Sequence, residues 1–200
     1  MSNDPEADIQ QLAEKLNRYC SEFSWGAADP HSRSEAAQLI STLGDLFQRV
    51  DPAERKLVTD ALIDPVKYAM SFYTFDKALE ARRTGSRQAL IQGLIPVVMA
   101  GGRSDTRTGG MLLSLLCNSA EKTGLDAREL FAYGAQFATN EESQRQIRDF
   151  PSLPPELRAI RRWGIREAET PGGVVYQHPH EWMKIPRRRG LWHKLRGWFA

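Results

Sequence analysis

Helix punctuation recurs along this chain, and between the marks apolar residues return at the helical period. Asp51-Pro52 and Asp64-Pro65 each set a capping side chain before a proline, whose missing N–H costs nothing in a first helical turn. Gly85-Ser86 closes one helix and opens the next, Gly101-Gly102 and Gly124 are stops, and Asp126 is a further start. These marks predict helices over 52–63, 65–84, 86–100 and 105–122, and another from Asp126 to about Ala138. Upstream, Ile9, Leu12, Leu16, Tyr19, Cys20 and Phe23 form one stripe of a helix over 5–23, which Asp4 can cap and Pro5 can begin. After a loop over 25–33, Ser34 can cap a second helix with Ala37, Ile40, Leu43, Phe47 and Val50 on its buried side.

Two helices stand out. The segment 66–79 is apolar nearly all round (Val66, Tyr68, Met70, Phe72, Tyr73, Phe75, Leu79), the pattern of a helix surrounded by others. The segment 86–100 contains Pro96, which cannot donate to the Gln92 carbonyl and costs ~3 kcal/mol in a straight helix, so a kink or break is expected. In the segment that Ser104 can cap, Met111, Leu112, Leu115, Leu116 and Ala120 share a buried face, and Gly109-Gly110 permit close helix contact.

The expected fold is therefore mainly α, a multi-helix bundle or short α-hairpin solenoid over 1–162, with helix pairs recurring at roughly 35 to 40 residues. Past Pro154-Pro155 the pattern changes. Residues 163–177 read as a small β-hairpin about Thr170-Pro171-Gly172-Gly173; since a lone hairpin is marginal in water, Trp163, Ile165, Val175 or Tyr176 must pack it on the helical body.

Residues 178–200 form a basic aromatic tail. Lys184, Arg187, Arg188, Arg189, Lys194 and Arg196 occur there with no carboxylate side chain after Glu181. In a helix from Leu191, the residues Leu191, Trp192, Leu195, Trp198 and Phe199 share one stripe. Six cations contribute up to ~6 kcal/mol at an anionic bilayer, enough for reversible attachment. The same residues can instead dock on the protein's own helices or on a protein partner, and a segment so short needs some surface to order it. Nucleic acid is the weakest candidate, because base-reading motifs are absent and most of the body is not basic.

Net charge is only +2, yet residues 1–64 carry 12 acids and 6 bases while residues 151–200 carry 4 acids and 10 bases. The ends either attract one another or reserve the basic one for an anionic partner. Cys20 and Cys117 lie far apart within apolar helical patterns, which predicts buried thiols. The acidic N-terminus lacks the pattern of a secretory signal, and the uncharged stretches 88–102 and 108–120 are shorter than a bilayer span. A cytoplasmic location is expected, with the inner face of the membrane as its variant.

Four blocks carry a resemblance: Ala78-Leu-Glu-Ala-Arg-Arg-Thr-Gly; Gly101-Gly-Arg-Ser-Asp before a Leu-rich helix; Thr123-Gly-Leu-Asp-Ala-Arg-Glu-Leu-Phe; and Trp163-Gly-Ile-Arg-Glu-Ala-Glu-Thr-Pro-Gly-Gly. Together they resemble a loosely defined group of uncharacterised bacterial all-helical proteins. The resemblance covers about half the chain, rests on turns and core positions, and implies a helical fold without implying an activity.

Chemistry-bearing clusters are few. Gly101-Gly102 followed by Arg103, Ser104, Asp105 and Arg107 at a helix start can hold an anion, with Arg103, Ser104 and Arg107 as its contacts. A Walker loop, however, has a Lys-Ser/Thr where this segment continues Gly109-Gly110-Met111. His178, His180 and Glu181 have metal-binding side chains, but no second cluster completes a coordination shell, so neither metal nor cofactor is expected. Asp76 and Glu80, one turn apart, are balanced by Lys77, Arg82 and Arg83 and read as a solvated helix edge. Tyr68, Phe72, Tyr73 and Phe75 can line a pocket, though core packing is the plainer reading. No nucleophile elbow, zinc-protease helix or dinucleotide fingerprint occurs. The expected function is non-catalytic, a protein–protein interaction of adaptor, regulator or toxin-neutralising type. Its alternatives are peripheral membrane attachment by the tail and a phosphate-handling enzyme around 101–107.

Overall fold

A computed structural model describes residues 5–21, 30–102 and 107–154, all within the first of two units, Met1–Arg161 and Arg162–Ala200, into which the chain divides. The described residues form eight α-helices and no strand: α1 (Pro5–Ser21), α2 (Pro30–Arg49), α3 (Pro52–Ala61), α4 (Asp64–Thr84), α5 (Arg87–Met99), α6 (Arg107–Thr123), α7 (Ala127–Ala135) and α8 (Glu141–Asp149), followed by a 3-10 turn over Phe150–Ser152. The β-hairpin expected over 163–177 and the tail over 178–200 lie outside the described residues.

The capping chemistry sets most boundaries. Asp51 Oδ1 accepts from the N–H groups of Ala53 (2.8 Å) and Glu54 (3.0 Å), and Glu54 returns the bond to the Asp51 N–H (3.1 Å), a complete capping box. Ser86 Oγ accepts from the Ala89 N–H, and Asp126 Oδ1 from that of Arg128. Gly85, at φ +69°, supplies the left-handed stop between α4 and α5.

Three expectations are corrected. Asp64 does not cap α4 but is its first helical residue, after Ile63, which has no side-chain capping bond; the Ile63 N–H instead reaches Asn17 Oδ1 on α1 (3.4 Å), and Asn17 Nδ2 donates to the Ala61 carbonyl (2.8 Å). Ser34 likewise lies inside α2, which starts at Pro30. Pro96 lies inside α5, which runs on to Met99, so of the kink or break expected there the break does not occur. Gln92, whose carbonyl loses its N–H partner, is only half-buried, so water can serve that oxygen.

The long apolar segment is central, as its pattern predicts. α4 touches α1, α2, α5 and α6, and Val66, Met70, Phe72, Tyr73, Phe75, Ala78 and Leu79 are all buried. Its neighbour α5 is as enclosed, meeting α2, α3, α4, α6 and α7 through Leu90, Leu94, Ile95, Val97, Val98 and Met99. The pair crosses closely at Gly93, where a Cβ would lie 3.2 Å from both Leu116 Cδ2 and Lys77 Cβ. The buried Thr74 hydroxyl fits there because it donates to the Gly93 carbonyl (2.8 Å).

The last helices add a second layer, α7 packing on α5 and α8 on α7. Gly134 of α7 lies against Leu94, and the rings of Phe131 and Phe150 stack at 5.8 Å with 10° between planes. α8 was not foreseen from the sequence. Asn140 caps it through the Ser143 N–H (2.8 Å), and its apolar contribution is Ile147, fully buried against Gly102.

Candidate binding groove

Between α4, the end of α5 and the start of α6, the bundle leaves a half-open cleft of about 340 Å³. Asp64, Lys67, Tyr68, Met70, Ser71 and Thr74 form the α4 wall; Pro96, Val97, Ala100, Gly101 and Gly102 form the second; Thr108, Gly109 and Leu112 close the third. The α4 residues follow helical spacing, so one stripe of that helix faces the opening.

The walls are mostly apolar, and the polar groups are not equivalent. The hydroxyl of Ser71 is turned back to the Lys67 carbonyl (3.1 Å) and that of Thr74 is committed to Gly93. The end of α5 presents few open acceptors, because the N–H groups of Ala100, Gly101 and Gly102 return to the carbonyls of Pro96 (3.0 Å), Val98 (3.0 Å) and Val97 (2.8 Å). Lys67 is different. It is half-buried on the lip and makes no ion pair or side-chain hydrogen bond among the described residues.

Tyr68 departs from its aromatic neighbours. Phe72, Tyr73 and Phe75 are core residues, whereas Tyr68 is 38% exposed at the cleft mouth, edge-on to Phe72 at 5.0 Å. Partial burial raises its phenol above the usual tyrosine value, moving it further still from ionisation at neutral pH, where it is a donor. A ring so placed offers an apolar body to whatever enters the cleft and a hydroxyl at its wet edge.

Of the anion-site residues suggested by the sequence, Arg103 and Ser104 lie outside the described residues, and of Arg107 only the backbone, opening α6, is described. Their flanking residues do come together, since Gly101, Gly102, Thr108 and Gly109 all line the cleft. Lys184, Arg187, Arg188, Arg189, Leu191, Trp192, Lys194, Leu195, Arg196, Trp198 and Phe199 lie outside the described residues, as do His178, His180 and Glu181. Glu80 forms an ion pair with Lys77 at 2.7 Å. Among the described residues no cluster of His, Cys, Asp and Glu could hold a metal ion, and no helix is long and apolar enough to cross a membrane.

No protein-family model, curated protein or solved structure matches the chain. The geometry itself offers a site that can bury an apolar group while a phenol and an ammonium wait at its edge.

Proposed function

We propose that the protein works by binding another protein, with the cleft between α4, α5 and α6 as the recognition surface. This keeps the adaptor, regulator or toxin-neutralising reading that the helical sequence suggested and gives it a location. The observation that carries it is Tyr68: in a helix whose other aromatics are sealed in the core, this ring stays at the mouth of an apolar cleft. Hot spots of protein interfaces are enriched in such tyrosines, seated beside pockets and ringed by polar groups.

The test compares two exposed apolar residues. Full-length protein immobilised in extract of its native host should retain a partner in stoichiometric amount; Tyr68→Ala should weaken retention by about tenfold or more, as loss of a hot spot does. Leu57→Ala, at an exposed position on α3 outside the cleft, should leave it unchanged. Thermal unfolding of both variants in parallel establishes that they are folded. Equal retention by the two variants would reject the cleft as the binding surface.

A further inference from the structure

We infer that the cleft selects a partner segment carrying an aromatic or aliphatic anchor side chain next to a carboxylate, the anchor entering against Met70, Val97 and Leu112 and the carboxylate reaching Lys67. This rests on the binding role proposed above and adds the chemistry of what is bound.

Size comes first. About 340 Å³ is at the lower end of the range for ligand pockets, so the space suits one anchor side chain and its immediate neighbours rather than a whole docked helix.

Charge decides the neighbour. Among the described residues two charged side chains line the cleft, and they differ in setting. Asp64 is exposed at the first position of α4, where the positive end of the helix offsets its charge. Lys67 is half-buried, one turn further into the cleft, and has no carboxylate within ion-pair distance among the described residues. The first turn of α6 contains no acidic residue, and the α5 carbonyls nearest the cleft are occupied by their own turn. A cationic neighbour would meet Lys67 directly, and a neutral one would leave the ammonium to water. A carboxylate both removes that repulsion and completes the pair.

The probes are three acetylated, amidated tripeptides of sequence Phe-Glu-Ala, Phe-Gln-Ala and Phe-Lys-Ala, titrated into the full chain and followed by amide NMR. All are expected to shift the amides of Gly101, Gly102 and Gly109 saturably, at roughly millimolar affinity. The Glu peptide should bind about threefold more tightly than the Gln peptide, the range of a solvent-accessible ion pair, and the Lys peptide most weakly. Lys67→Gln should abolish that order. If all three peptides bind equally, or if Lys67→Gln leaves their order unchanged, the carboxylate preference is overturned while the cleft remains a binding site. If none of the three shifts those amides, both the preference and the cleft reading fall.

Discussion

Replacing Phe131 by alanine is expected to lower the unfolding free energy of the full chain by about 3–5 kcal/mol, the cost of deleting a large buried aromatic. The ring is fully buried in α7 and stacks on Phe150, itself 1% exposed, so the loss combines apolar burial, a residual cavity and an aromatic pair. Small domains are stable by only ~5–15 kcal/mol, which makes this a large fraction of the total. Guanidinium unfolding followed by circular dichroism measures it, and Phe131→Leu, which keeps most of the volume, should cost much less. A loss below about 1 kcal/mol for the alanine variant would mean that α7 and the turn after α8 are not packed as described.

The second large effect is expected at Gly102. At φ +45° its backbone lies in the left-handed region, and a Cβ there would fall 2.7 Å from Ile147 Cδ1. Gly102→Val therefore combines backbone strain of ~1–2 kcal/mol, more for a β-branched residue, with overpacking of ~1–3 kcal/mol. Only part of that is steric. Pairing the change with Ile147→Ala should recover the overpacking part, so the double variant should be more stable than the sum of the two single changes allows, by about 1 kcal/mol. Strict additivity would show that Ile147 does not lie against Gly102.

These two positions also explain how the cleft keeps its shape. Gly101 and Gly102 form part of its wall, and α8 holds them from behind: Ile147 packs on Gly102, and the Ser143 hydroxyl donates to the Gly101 carbonyl at 3.3 Å. The helix that least resembles a core element thus positions the turn on which the site depends.

That helix also shows the limit of reading helices from apolar periodicity. Glu-Glu-Ser-Gln-Arg-Gln-Ile-Arg-Asp offers a single large apolar residue, so α8 has no stripe to detect; its signals were Asn140 as a cap and the Glu142–Gln146 pair one turn apart. Where local chemistry sets the backbone the sequence was legible, through capping side chains at Asp51, Ser86 and Asp126 and left-handed glycines at Gly85 and Gly124. Asp64 was misread because a tertiary contact decides the start of α4: Asn17, 46 residues upstream of Ile63, holds that backbone. The cleft was least visible. Its walls come from three helices, and the pattern that places Phe72 and Phe75 in the core also includes Tyr68. Which of these rings stays uncovered depends on how the three helices pack, and local spacing does not encode it.

The central claim is that the cleft at Tyr68 is where this protein meets its partner. Its most direct test is photo-crosslinking in native host cells, with Thr108→p-benzoylphenylalanine, at an exposed position of the α6 wall of the cleft, in the full chain and the same replacement of Arg128, an exposed residue of α7 outside the cleft, as the control. Irradiation should give one discrete protein adduct from position 108 and none of that mass from position 128. No adduct from position 108, or the same adducts from both positions, would contradict it.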